Sequence, residues 1–316
     1  LADIRTVIES CIPAIPSYNE DLAVNTIQWP VESEPLVSLI IPTKNGKALV
    51  KACIESILEK TVYQNYEILL IDNGSDEKES LDYFSELDKH SKIRVLRYPG
   101  EFNYSAINNF GAQHACNDST VIGLINNDIE VINPHWLTSM VGHAMRSDVG
   151  CVGAKLLYSD GRIQHAGVVL GYGGGAGHAH KYFPRYHPGY MKRLIATQNY
   201  SAVTAACLLV RKSLFVEVGG LNEKDLTVAF NDVDFCLRVK ELGVRNIYCA
   251  EAELYHHESV SRGLDHAPAK AARFNRELEY LKVQWKNYIE HDPAYSPNLT
   301  LLRENFSIKA KEEFSS

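Results

Sequence analysis

A chain of 316 residues with 45% hydrophobic and 22% charged content is long enough to bury one large core or two modest ones, which excludes compositional disorder. Its formal charge of -7 provides no basic field for a nucleic-acid backbone, so DNA and RNA are excluded as partners and any bound nucleotide is a small one held by specific contacts. Seven cysteines, odd in number and widely spaced with no CxxC pair, read as reduced core residues of a cytosolic protein and not as a disulfide frame or zinc site.

Residues 1–35 carry Pro13, Pro16, Pro30 and Pro35 among short mixed segments and are expected to form a linker or extension along the domain edge. From Leu36 the pattern becomes regular. The apolar run LVSLIIP is followed by Leu49, Cys53, Ile57 and Leu58 at helical spacing, a strand feeding a helix. The unit recurs: YEILLID leads to a helix around Leu81 and Phe84, KIRVLRY to one over Ile107 to Ala115, and STVIGLIN to a polar turn. Short apolar strands alternating with helices predict an α/β fold with a Rossmann-like, doubly wound, mostly parallel sheet, whose ligands bind at the carboxyl ends of the strands.

Those ends carry Pro42-Thr43-Lys44-Asn45, Asp72-Asn73-Gly74-Ser75 and Asn126-Asn127-Asp128. Asn, Asp, Gly and Ser are also the usual residues of turns and caps, and for any one motif that account serves equally well. In this order, and with the apolar run IEVI after Asp128, they resemble the family 2 glycosyltransferases of the GT-A fold over roughly Pro35 to Gly263. The resemblance implies a GT-A domain over 36–263 with an acceptor-side subdomain, and it leaves a helical extension over 264–316.

It also implies site residues. Pro42, Thr43, Asn45 and Asn127 fall in the nucleotide site, with Asn103 of FNYSAINNFGA a weaker member whose other account is a helix start. Asp72 matches the Asp that hydrogen-bonds the base; a carboxylate accepts the imide N–H of uracil or thymine, so the donor is a UDP- or dTDP-sugar. The family's Asp-x-Asp metal motif falls on Asn126-Asn127-Asp128, where only the last carboxylate is retained. Asp128 would hold Mg2+ or Mn2+ together with diphosphate oxygens and waters. Of the late loop from Tyr255 to Gly263, His256 matches the metal ligand and His257 is the fallback, while Ser261 and Arg262 are candidates for the diphosphate.

Farther along, AVTAACLLVRK and GGLNE precede Phe230-Asn231-Asp232-Val233-Asp234-Phe235, where the family usually carries Glu-Asp. Asp232 is assigned as general base for an inverting transfer onto a saccharide acceptor, lipid-linked in one version, of bacterial O-antigen or other surface polysaccharide. The plain account makes Asn231 the N-cap of a helix through Val233, Cys236, Leu237 and Leu242. Loss of a carboxylate from both acidic motifs keeps a non-catalytic sugar-binding module open, and the Rossmann-like start keeps a nucleotidyltransferase open. The glycine cluster 171–177 lacks the dinucleotide fingerprint's spacing, and with His178, His180 and His187 it reads as a flexible acceptor-facing loop. Phe274, Leu278, Leu281, Trp285 and Ile289 form one helical face that is expected to pack on the domain, with a peripheral membrane surface as the other use. No signal peptide or membrane span is visible, which points to the cytoplasm; a first residue of Leu suits a processed start and equally a piece of a longer, multidomain polypeptide.

Overall fold

The computed structural model describes residues 14–31, 33–257 and 268–314. Its strands are β1 (Ile15–Asn19), β2 (Val24–Gln28), β3 (Val37–Thr43), β4 (Tyr66–Asp72), β5 (Ile93–Arg97), β6 (Val121–Ile125), β7 (Ile129–Val131), β8 (Val149–Leu157), β9 (Ile163–His165), β10 (Val168–Leu170), β11 (Ala176–His178), β12 (Gln198–Tyr200), β13 (Cys207–Arg211) and β14 (Arg245–His256). The helices are α1 (Lys47–Lys60), α2 (Lys78–Leu87), α3 (Tyr104–Gln113), α4 (Trp136–Ala144), α5 (Lys212–Glu217), α6 (Asn231–Lys240), α7 (Pro268–Gln284) and α8 (Lys286–Glu290).

One sheet organises the chain, in the order β12-β14-β8-β13-β6-β3-β4-β5, with β7 also pairing β14 and β9 pairing β8. Strands β5, β4, β3 and β6 are mutually parallel, as the alternating pattern predicts. They read as continuous apolar runs because both faces are covered. On β3, Val37, Leu39 and Ile41 enter the core beneath α1, α2 and α4, while Ile40 faces the opposite core with α3, α6 and α7. Helix α3 sits tight on that second face: a Cβ on Gly111 would come within 2.5 Å of the Ile40 side chain.

Beyond β6 the sheet becomes mixed. Strand β13 runs antiparallel between β6 and β8, and β8 pairs parallel with β14. Strand β14 changes register between Cys249 and Glu253, and its far end pairs antiparallel with β7, setting His256 opposite Ile129. That pairing carries the late histidines to the Asn126-Asn127-Asp128 turn.

The segment read as a linker contains an antiparallel hairpin, β1 with β2. It lies along the domain edge, with the Arg146 guanidinium 4.0 Å over the Trp29 ring and Lys192 Nζ donating to Leu22 O at 3.4 Å. At the other end, α7 buries Leu281 in the α3/α6 core, and Trp285, just past its last residue, joins it there. On the same face Phe274 is 45% exposed, with its ring 5.3 Å from that of Phe230. Among the described residues, no helix is long and apolar enough to cross a membrane.

Candidate active site

The ends of the parallel strands are tied to one another by side chains. Thr43 and Asp72 are register partners on β3 and β4, and Asp72 pairs with Arg97 on β5. Asn45, left-handed at φ 54 as Asn tolerates, brackets the next loop. Its Oδ1 accepts from Asp76 N at 2.9 Å and Glu77 N at 3.1 Å, and its Nδ2 donates to Asp76 Oδ1 at 2.7 Å. Asn127 Nδ2 donates to Thr43 Oγ1 at 3.0 Å, joining this cluster to the metal-motif turn. Pro42 stays within β3, opposite Ile71. The buried carboxylate of Asp72 accepts from Ser75 N at 2.9 Å and from Arg97 Nη1. Asn103 is a helix cap: its Oδ1 accepts from Ala106 N at 3.0 Å and its Nδ2 donates to Glu223 O at 2.9 Å.

Around the turn after β6 the packing is closer. His257 N donates to Asp128 O at 2.9 Å, extending the β7–β14 pairing past Ile129. Asp128 and His256 are each 6% exposed. His256 Nε2 lies 3.2 Å from Asp128 Oδ1 and 3.1 Å from Asn126 Nδ2. Asn126 faces that way because its Oδ1 accepts from Tyr104 OH at 3.0 Å. An amide N–H demands a lone pair from Nε2 and a carboxylate demands a proton, so one ring nitrogen cannot serve both. Carboxylate plus imidazole is a suitable donor set for a divalent cation, which on Asp128 Oδ1 and His256 Nε2 would replace the proton between them and take the Nε2 lone pair from the Asn126 N–H. His257 is otherwise engaged, with Nε2 3.1 Å from Glu130 Oε2 and Nδ1 2.7 Å from Ser159 Oγ.

Beside this turn opens a cavity of about 340 Å3, whose walls include Asn126, Ala205, Ala206, Asp232 and His256. That volume falls in the small-molecule range of about 300–1,000 Å3. Asp232 Oδ2 accepts from Ala205 N at 3.1 Å and Oδ1 from Val233 N at 2.9 Å. Asp234 is 1% exposed and turned away, bonded to Trp285 Nε1 at 2.9 Å and Arg238 Nε at 2.8 Å. The expected N-cap needs correction: Phe230 caps α6 in a left-handed conformation, while Asn231 lies inside the helix and donates to Val228 O at 3.0 Å. Of the acceptor-loop histidines, His178 reaches the cavity wall, but His180 is fully buried and stacked 4.4 Å from Phe306. Ser261 and Arg262 lie outside the described residues.

Sequence reasoning passed over several contributors. Tyr104, within the FNYSAINNFGA stretch, orients Asn126. His165 on β9 accepts at Nε2 from Gly167 N and Thr204 N, both at 3.2 Å, and donates from Nδ1 to Ala154 O at 2.8 Å. Burial, with neighbouring His178, pushes its imidazole well below the usual range, so it stays neutral and fixes the backbone leading into Ala205. No local signal marks it, because two of its three partners, Ala154 and Thr204, come from distant segments.

Comparison with known proteins then decides the family, since the model described as "Glycosyl transferase family 2" matches residues 38–219, more than half of the chain. The chain belongs to glycosyltransferase family 2. An uncharacterized protein of Sinorhizobium fredii, y4gI, is 52% identical over 283 residues, covering 89% of this chain and 31% of that protein. The O-antigen biosynthesis protein RfbC of Myxococcus xanthus is 35% identical over 301 residues, 91% of this chain and 22% of its own. The family 2 domain described here therefore spans less than a third of either relative. A solved structure of GalNAc-T7 with UDP, GalNAc and Mn2+ superposes with TM-score 0.64 at 16% identity, covering 96% of this chain and 59% of that one. The fold is the expected GT-A type, completed by the mixed half of the sheet, β13 with β8 and β14.

Proposed function

We propose that the domain transfers a sugar, with inversion, from a UDP- or dTDP-sugar onto a saccharide acceptor of bacterial surface polysaccharide, using a divalent metal. The observation that carries this reading is the cavity itself, where Asp232 shares the walls with Asn126 and His256, and Asp128 Oδ1 lies 3.2 Å from His256 Nε2. A candidate base and a candidate diphosphate site thus flank one space.

The chemistry divides among residues as follows. Asp72, with Thr43, Asn45 and Asn127 around it, forms the nucleotide cradle, its carboxylate accepting the pyrimidine imide N–H. Asp128 and His256 would hold Mg2+ or Mn2+, which would supply positive charge against the negative charge developing on the diphosphate. Asp232 takes the proton of the acceptor hydroxyl as its oxygen bonds to the anomeric carbon and the bond to the diphosphate breaks, the electron pair leaving with the nucleotide. The N-terminus of α6 supports negative charge at Asp232. Among the described residues lining the cavity, Asp232 is the one carboxylate, which supports a single displacement with inversion over a covalent intermediate. RfbC, named for O-antigen biosynthesis, supports a surface polysaccharide as product, and the UDP and Mn2+ in the GalNAc-T7 structure support the donor and metal classes. A screen of UDP- and dTDP-sugars with Mn2+ against saccharide and lipid-linked acceptors tests it. Release of nucleoside diphosphate with an inverted anomeric product is expected; release of pyrophosphate, or a retained anomer, overturns it.

A further inference from the structure

The loop before α6, residues 222–230, forms neither helix nor strand, so its backbone N–H groups need partners from elsewhere. One side chain supplies several. Glu277, in the middle of α7 and 2% exposed, accepts at Oε1 from Thr227 N (2.9 Å), Thr227 Oγ1 (2.6 Å) and Val228 N (3.2 Å), and at Oε2 from Ala229 N (2.7 Å). A carboxylate withdrawn from water is costly unless its lone pairs are filled, and here consecutive loop residues fill them. Arg273 Nε stands 3.9 Å from Oε1 on the helix side. The carbonyls of the same loop are held from other directions, by Ser105 Oγ on Leu226 O at 2.5 Å and by Asn231 Nδ2 on Val228 O at 3.0 Å. Val228 and Ala229 line the cavity together with Asp232. Between them sits Phe230 at φ 59, a conformation that a bulky residue keeps only when its surroundings over-determine it.

We propose that Glu277 is a positioning residue for the transfer: its carboxylate fixes the backbone of residues 227–229 and so sets Asp232 against the acceptor hydroxyl. The proposal rests on the reading of Asp232 as base. It gives the C-terminal helix, which lies beyond the matched residues 38–219, a part in transfer besides packing. Gln at 277 keeps the shape but replaces one acceptor oxygen with an N–H2 group facing N–H donors, so part of the clamp is lost.

The test compares Glu277→Gln, Thr227→Val, Asp232→Asn and the double variant Glu277→Gln/Asp232→Asn. Thr227→Val removes only the hydroxyl bond and guards against a folding failure of the first. Functional sites are counted by titration with UDP and Mn2+, or with dTDP if the donor screen returns it. For Glu277→Gln, kcat per nucleotide-binding site is expected to fall about tenfold or more and acceptor KM to rise, as misplacement without loss of chemistry does, with nucleotide affinity unchanged. Thr227→Val moves the same way by less. In the Asp232→Asn background Glu277→Gln costs nothing further, because groups acting as a unit are non-additive. Glu279→Gln, an exposed neighbour bonded to Lys282 at 3.0 Å, stays parental. If Glu277→Gln only reduces the number of binding sites while per-site kcat and acceptor KM hold, its role is structural and the proposal is overturned. Near-parental turnover in Asp232→Asn instead overturns the base assignment beneath it.

Discussion

Asp232 and Asp234 are two residues apart on one helix turn, yet their surroundings give them different work. Asp234 is sealed between Trp285 and Arg238, whereas Asp232 lines the cavity and, among the described residues, has only backbone N–H groups of Ala205 and Val233 on its oxygens. Replacing Asp232 with Asn keeps the shape and removes the basic site, so transfer is expected to fall by roughly 10²-fold or more with donor binding unchanged. Asp234→Asn is expected to lower thermal stability while leaving turnover per folded molecule in place. Parallel measurement of transfer rate, donor affinity and melting temperature separates the two; a near-parental rate in Asp232→Asn would falsify the base assignment. At the nucleotide end, Asp72→Ala is expected to weaken UDP or dTDP binding by about 1–3 kcal/mol, the scale of a charge-assisted hydrogen bond. Tighter binding of a purine nucleotide in calorimetry would remove Asp72 from base recognition. Asp72, Asp128 and Asp232 could be singled out as candidates because each stands in a motif of local order. Glu277 was not, since its partners Thr227–Ala229 lie about fifty positions upstream and nothing near it in sequence marks the contact.

At the scale of elements, β14 shows where periodicity informs and where it stops. The apolar run around Ile247 reads as a strand, but the register shift between Cys249 and Glu253 and the pairing of His256 with Ile129 depend on which strands lie alongside. The same holds for β13: CLLVR announces a strand and is silent on its antiparallel direction. Phe230, and not Asn231, caps α6 because Glu277 and Phe274 constrain the loop, a tertiary override of capping preference. The β14 irregularity is held by a charge cluster that is testable by pH. Glu253 bonds Lys155 Nζ at 2.8 Å and Arg185 Nη2 at 2.7 Å, with Lys155 only 3% exposed. Burial raises the Glu253 carboxyl, but the two cations outweigh it and hold it below its usual range. A depressed folded pKa contributes stability above the unfolded value of about 4.3 that is lost as pH falls through the folded one. Glu253→Gln leaves Lys155 buried without its counter-charge and is expected to cost about 3–5 kcal/mol at pH 7. Urea unfolding of parent and variant should therefore converge as pH drops below 4, and a difference independent of pH would show that packing, not charge, is responsible.

For the whole molecule, the candidate metal pair is a joint between halves of the chain. Asp128 follows the last strand of the parallel part, β6, and His256 ends β14 on the far side of β13 and β8; β7 brings them together. The parallel half was readable from sequence because β3, β4 and β5 each feed a helix and β6 ends in a polar turn. The joint was readable only by resemblance, since the histidine reaches the turn through a pairing made across the sheet. A ligand held by both halves stabilises the folded state over the unfolded chain by mass action, by about 2.7 kcal/mol at a hundred times its Kd. Mn2+ or Mg2+ together with UDP is accordingly expected to raise the melting temperature by several degrees, and excess EDTA to reverse the shift along with turnover. Asp128→Ala should keep the parental melting temperature without ligands within a few degrees and lose the metal-dependent increment. His256→Ala should lose the same increment, whereas His257→Ala, bonded to Glu130 and Ser159, should retain it. An equal UDP shift with and without metal, accompanied by full transfer in EDTA, would take the cation out of the mechanism and leave Asp128 and His256 as a direct hydrogen-bonded latch between the halves.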